Sequence, residues 1–195
     1  SAVAETLHNW GFHVTGSDAA HSEITDKLNL HGIKTTIGHD LENAKNADLI
    51  VFSAAIKDED PEMVLARENN IPLVGRGEFV GLLTKMYKET ICVAGTHGKT
   101  TTTSMLSVCF LNAEKDPTIE VGAILNKIDG NYRVGNSEYF ILESCEYKGN
   151  FLKFFPNTAI ILNIDNDHLD YYKTFDNVVK AFTDFALLLE PNGLL

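Results

Sequence analysis

The chain has 195 residues, 44% hydrophobic and 22% charged, which is the composition of a globular protein with a sizeable core. Against 27 acidic residues stand 16 basic ones, a formal net charge of −11 with no basic cluster, so nucleic acid is not an expected partner. No apolar run approaches the ~18–20 residues that cross a bilayer, and no charged-then-apolar leader opens the chain, so membrane insertion is not expected and the protein reads as cytoplasmic. Cys92, Cys109 and Cys145 are widely spaced in apolar surroundings and read as reduced core residues rather than metal ligands.

Residues 1–10 open as if in mid-helix, with Val3, Leu7 and Trp10 on one face, and Gly11 ends that helix. Residues 12–18 predict a strand closing on Asp18, a place where a dinucleotide-type fold binds a ribose hydroxyl; a turn or N-cap role is the other reading of that aspartate. The glycine-rich turn that would complete such a fingerprint is expected upstream of Ser1. A helix over 23–31, a strand over 33–37, a helical turn over 41–45 and a buried strand over 48–53 follow. Ligands of open α/β sheets bind at the carboxyl ends of strands, which makes Asp18, His39 and Ser53 candidates for one nucleotide-sugar site, though a loop histidine is usually only exposed. Residues 61–69 predict a helix with Pro61 in its first turn, 71–74 a strand and 78–87 a helix. Alternation at this spacing calls for a parallel sheet with helices on both faces, and the polar break at 87–89 is the expected domain boundary.

The most informative stretch is 94–103, AGTHGKTTTT, between an apolar β-branched run at 90–94 and a helical segment from Ser104 onward. Strand, glycine loop, helix is the order that gathers backbone N–H groups and the positive end of a helix dipole around one anion. Gly95 and Gly98 permit close approach, Lys99 can reach outer phosphates, and the Thr100 hydroxyl can ligate Mg²⁺. The general Walker A pattern fails at its first glycine, where Val93 stands. Residues 139–146 predict a buried strand ending in Glu143 and Glu146, and 159–164 another running into Asp165, Asp167, His168 and Asp170. In a parallel sheet both deliver their polar ends to the edge that carries the loop. Thr100, Glu143 and one group of the 165–170 cluster suit a hard octahedral cation; helix capping by one or more of these aspartates is the alternative.

Three segments together, AGTHGKTTTT, YFILESCEY and LNIDNDHLDYY, resemble the Mur ligases, the ATP-dependent enzymes that add amino acids to the peptidoglycan precursor, and the likeness runs through SAVAETLHNWGFHVTGSD to the whole chain. The GTHGKT form is similar to that of members joining L-alanine to UDP-N-acetylmuramate. The resemblance implies an α/β chain of two parts: a Rossmann-like UDP-sugar-binding domain over 1–88, lacking its first strand, and an incomplete P-loop-type ATP-binding domain over 89–195. It implies ATP and Mg²⁺ as cofactors, with UDP-N-acetylmuramate and L-alanine as substrates. Gly95, Thr96, His97, Gly98, Lys99, Thr100 and Thr101 would hold the ATP phosphates, with Lys99 catalytic. Thr100, Glu143 and His168 would bind the metal, and Asp18, His39 and Ser53 the uridine diphosphate. Glu146, in SCEY where many relatives have EADES, receives no metal role.

Relatives are more than twice as long and have three domains, so the resemblance implies a fragment that folds as two α/β units without turning over. A recycling ligase that couples a preformed peptide to the same nucleotide sugar shares the loop and is the nearest alternative. A non-catalytic nucleotide-binding module and a nicotinamide dehydrogenase are the alternatives from other classes.

Overall fold

A computed structural model of the chain describes residues 2–195. The backbone divides into two compact units, Ser1–Phe79 and Val80–Leu195. Ser1, which the helical stretch expected over 1–10 includes, lies outside the described residues.

In the first unit, helix α1 (Ala2–Asn9) ends on Gly11 at φ +87, with Phe12 N–H returning to the Leu7 carbonyl at 3.0 Å. Strand β1 (Thr15–Asp18) pairs in parallel with β2 (Lys34–Ile37), from Thr15 opposite Lys34 to Asp18 opposite Ile37. Helix α2 (Glu23–Leu30) lies between them in sequence and starts from a reciprocal cap, in which Ser22 N–H donates to Thr25 Oγ1 and Thr25 N–H to Ser22 Oγ. Helix α3 (Leu41–Lys45) is capped by Asp40 and α4 (Pro61–Glu68) by Asp60, with Pro61 at its start. Strand β3 (Ile50–Phe52) pairs in parallel with β4 (Leu73–Gly75). Leu28, Ile33, Ala44, Met63 and Ala66 form the buried interior.

The single parallel sheet expected here is therefore two two-stranded parallel sheets among the described residues. Each strand has only one neighbour, so none is covered as a central strand is, and β3 is half-buried instead of buried. The strand expected over 12–18 begins only at Thr15.

Helix α5 (Arg76–Thr84) crosses the division between the units. The second unit is built on a five-stranded sheet formed by β5 (Glu89–Ala94), β6 (Thr118–Leu125), β7 (Gly130–Arg133), β8 (Tyr139–Glu143) and β9 (Thr158–Ile161), in spatial order β7-β6-β8-β5-β9. Only β7 is antiparallel, and β5 runs parallel to both β8 and β9. That double pairing explains its sequence: Ile91, Cys92, Val93 and Ala94 are all buried, the apolar run of a strand covered on both faces. Glu146 lies beyond the end of β8, in a turn before a 3₁₀ segment (Tyr147–Lys153), and not on the strand as expected. Helix α6 (Lys99–Asn112) follows β5, and α7 (Leu169–Tyr172) and α8 (Phe175–Ala186) close the unit.

Of the three cysteines only Cys92 is a core residue; Cys109 and Cys145 are exposed, which corrects the reading of all three as buried. Cys109 belongs to α6, which buries Thr103 and Ser107 rather than that cysteine. Burial pushes the Cys92 thiol up to about 12, so it offers no thiolate at neutral pH.

Helix α8 buries Val178, Ala181, Phe182 and Phe185, a stripe at helical spacing. Phe151 stacks on Phe185 at 4.7 Å between ring centroids and meets Phe182 edge-on at 5.2 Å. Removing the fully buried ring in Phe182→Ala is expected to cost about 3–5 kcal/mol in urea unfolding, with Phe182→Leu costing clearly less.

Candidate functional site

The loop between β5 and α6 leaves the sheet where connections diverge: the chain goes from β5 to β6 on one side, and from β8 to β9 on the other. Gly95 has φ +137, and a Cβ there would stand 3.0 Å from Leu162 Cβ and 3.2 Å from Leu162 N. Gly98, at φ 83, is the N-cap of α6 in the left-handed region and provides no capping side chain. The helix start therefore keeps unpaired N–H groups pointing out of its positive end. Thr102 N–H closes the first helical turn on the Gly98 carbonyl at 3.0 Å.

Lys99 folds back over this loop. Its ammonium donates to the Gly95 carbonyl at 2.6 Å, the Thr96 carbonyl at 3.1 Å and Glu146 Oε1 at 3.2 Å. Glu146 Oε2 faces it at 2.9 Å at an angle that makes an ion pair rather than a hydrogen bond. The side chains of this pair are only 13% and 2% exposed, so each charge depends on the other for compensation.

Polar ends of β8 and β9 converge on the loop, as parallel pairing with β5 requires. Thr100 Oγ1 donates to Glu143 Oε1 at 3.1 Å, and Gly122 N–H donates to Glu143 Oε2 at 2.7 Å. His168 is grouped differently: its Nε2 lies 3.7 Å from Glu146 Oε1 and its Nδ1 3.8 Å from Asp167 Oδ1. One ligand atom each from Glu146, Asp167 and His168 fall within 4.8 Å of one another. The candidate metal residues thus fall into two sets, Thr100 with Glu143, and His168 with Glu146 and Asp167. Hydroxyl and carboxylate oxygens fit a hard cation such as Mg²⁺; the imidazole suits it less.

Capping by the aspartates of the 165–170 segment is not observed. Helix α7 has His168 as its N-cap, in the left-handed region at φ 52, with no side-chain cap bond. Asp165 and Asp167 instead accept from the N–H of the residue that follows each of them. A left-handed histidine is a conformation held by its surroundings and is common at functional sites.

In the first unit, Asp18 Oδ1 accepts from Ala20 N–H at 3.1 Å, an Asx-type turn, and the Asp18 carbonyl accepts from Gly38 N–H at 2.8 Å. That bond brings Asp18 next to His39, whose Nδ1 lies 3.6 Å from Asp60 Oδ2. Ser53 sits at the carboxyl end of β3, in the other two-stranded sheet.

Sequence reasoning missed four residues that shape these sites. Glu62 takes Ser17 Oγ at 2.7 Å and Asp40 N–H at 2.6 Å, joining β1, the β2–α3 loop and α4; nothing in its helical context signals this. Gly122 must lack a side chain, because a Cβ would fall 2.6 Å from Glu143 Oε2. Glu146, which receives no metal role from the sequence, has its carboxylate on the Lys99 ammonium, and its one sequence signal is the second carboxylate of ESCE. Asn163, the fourth, contacts the β5–α6 loop from just beyond β9: its Oδ1 accepts from His97 N–H at 2.8 Å and its Nδ2 donates to the His97 carbonyl at 3.0 Å.

Residues 1–88 match the model described as the Mur ligase family catalytic domain, and residues 93–195 the Mur ligase middle domain. The chain belongs to the Mur ligase family. Across its 195 residues, this Mur ligase chain is 54% identical to UDP-N-acetylmuramate–L-alanine ligase of Clostridium botulinum (strain Okra / Type B1) and 50% to that of Clostridium perfringens (strain 13 / Type A). It covers 43% of each of those proteins, so it spans less than half their length. The crystal structure of UDP-N-acetylmuramate–alanine ligase from Thermotoga maritima matches with a TM-score of 0.87 and 33% identity, over 96% of this chain and 44% of that one. The crystal structure of UDP-N-acetylmuramate:L-alanyl-gamma-D-glutamyl-meso-diaminopimelate ligase from Neisseria meningitides has the same fold, with a TM-score of 0.86 at 23% identity over 98% of this chain and 65% of that one.

The Asp40 carboxyl is held below its ordinary 3.8 by the Asn43 N–H it caps, then by the Thr36 hydroxyl. Its charge therefore contributes stability above the unfolded value, and that contribution is lost as pH falls through the lower folded value. Asp40→Asn, which keeps the cap, is expected to lower the melting temperature at pH 6 and to converge on the parent as pH drops below 3.8. Gly95→Ala is expected to cost about 1–3 kcal/mol by forcing a Cβ against Leu162 at a disfavoured φ, read by denaturant unfolding.

Proposed function

We propose that this chain forms the UDP-sugar-binding and ATP-binding parts of a cytoplasmic ligase that joins L-alanine to UDP-N-acetylmuramate during peptidoglycan precursor synthesis. The observation that carries the reading is the β5–loop–α6 unit, with the Lys99 ammonium over the loop and Thr100 hydrogen-bonded to Glu143 at its mouth. The 54% identity over the whole chain to a ligase of that name supports the choice of L-alanine over a preformed peptide.

Residues 1–88 are read as the Rossmann-like domain, with Asp18, His39 and Ser53 facing the uridine diphosphate. Residues 89–195 are read as the ATP-binding domain, in which the Gly95–Thr101 loop holds the phosphates. Lys99 turns from its loop carbonyls toward the outer phosphates and offsets the charge that develops on the transferred γ-phosphoryl group. Thr100, Glu143 and His168 would hold Mg²⁺, with Glu146 and Asp167 beside the histidine. When bound, that cation neutralises phosphate charge and fixes phosphate orientation.

The reaction that fits is carboxylate activation. The lactyl carboxylate oxygen attacks the γ-phosphorus and ADP leaves, forming an acyl phosphate. The L-alanine amine then attacks the acyl carbon, and collapse of the tetrahedral intermediate expels phosphate and leaves an amide. The chain's own contribution is positioning and charge compensation, not a covalent step.

Calorimetric titration of the 195-residue chain with Mg·ATP tests the loop, and alanine-dependent phosphate release by the complete protein tests the reaction. Lys99→Ala is expected to weaken ATP binding by roughly 10- to 100-fold, the worth of one charge-assisted donor of about 1.5–3 kcal/mol, and to abolish release. Release with a muropeptide but not with L-alanine would move the assignment to the peptide ligase.

A further inference from the structure

We propose that Asn163 is a positioning residue that fixes the shape of the phosphate loop from the segment leaving the neighbouring strand; this rests on the ATP reading of that loop. The amide of Asn163 presents one donor and one acceptor side by side, as a peptide group does. It uses both on a single residue, taking His97 N–H at 2.8 Å and giving its own N–H to the His97 carbonyl at 3.0 Å. The Asn163 backbone carbonyl accepts from Thr96 N–H at 3.1 Å, and Asp165 N–H donates to Thr96 Oγ1 at 2.9 Å. Four hydrogen bonds therefore tie two successive loop residues to the chain leaving β9.

Two consequences follow for anion binding. The N–H groups of Thr96 and His97 are already spent, so neither is free to meet a phosphate. The donors that remain are those of Gly98, Lys99, Thr100 and Thr101, ahead of the first helical bond at Thr102. By pinning the loop just before them, Asn163 aims these four groups at one point and lets Gly95 turn without closing the cradle. Nucleotide affinity then depends on an amide that itself touches no phosphate.

Only an amide can do this. Aspartate at 163 would keep the acceptor for His97 N–H but oppose a carboxylate oxygen to the His97 carbonyl, whereas alanine loses both bonds without adding repulsion. The test uses parent, Asn163→Ala and Asn163→Asp chains, with ADP titration and amide hydrogen exchange followed by NMR. In Asn163→Ala, the His97 amide is expected to exchange at least about tenfold faster, with Ile91 and Val93 amides unchanged as the check on folding. ADP affinity should fall roughly 10- to 100-fold in Asn163→Ala, matching the loss of two hydrogen bonds, and further in Asn163→Asp.

Unchanged exchange at His97, or unchanged ADP affinity in both variants while the parent binds, would overturn the positioning role alone. Failure of the parent chain to bind ADP at all would overturn the ATP reading and the positioning role with it. Weakened ADP affinity with all core amides also exchanging faster would assign Asn163 to general stability instead, and overturn the proposal.

Discussion

Everything in the candidate site depends on one strand being paired in parallel on both edges. Because β8 and β9 flank β5 in the same direction, their carboxyl ends emerge beside the loop that leaves β5. Glu143 ends β8, and Asn163, Asp167 and His168 follow β9, so four polar groups far apart in sequence arrive at the mouth of one glycine loop. The register adds a further link: Ser144 N–H still bonds the Val93 carbonyl, and Leu162 N–H the Ala94 carbonyl, so the ladder holds until the loop begins. A slip of one residue would turn Glu143 to the other face and leave Thr100 without its partner.

The closeness of this packing explains why small residues are needed at two points. Gly95 passes under Leu162, and Gly122 lets the Glu143 carboxylate sit on a backbone N–H. In both places a Cβ would displace the contact that defines the site. Lys99 and Glu146 impose an equally strict requirement by charge: at 13% and 2% exposure, either one alone would be an uncompensated charge largely removed from water.

The second unit was largely legible in the sequence, for physical reasons. A strand covered on both faces must be an unbroken apolar run, and residues 90–94 are one; a tight strand–loop–helix junction needs glycines where φ turns positive, and Gly95 and Gly98 stand there. The first unit was less legible. Alternating elements imply a parallel sheet but do not say how many neighbours each strand has, and β1 to β4 form two pairs. Glu62, Gly122 and Asn163 were invisible because their roles are partnerships across 21 to 66 residues, which periodicity does not encode. The nearness of His168 to Glu146 was not legible for a similar reason: Glu146 lies beyond the end of β8, so the contact follows the segment after the strand rather than the strand itself.

Charge decides what this arrangement can accept. The chain is acidic overall, at −11, and the mouth of the loop gathers Glu143, Glu146, Asp165 and Asp167 around one lysine and the start of α6. A polyphosphate brought here alone meets more negative charge than positive, and a Lys99 that turns to it leaves the buried Glu146 without its counter-charge. A divalent cation arriving with the nucleotide would offset both, and the carboxylate oxygens of Glu143, Glu146 and Asp167 are of the kind that would hold it. The carboxylates that oppose a bare anion are thus the groups that favour a metal-bound one, and this supports reading the loop as a site for a nucleotide together with its cation.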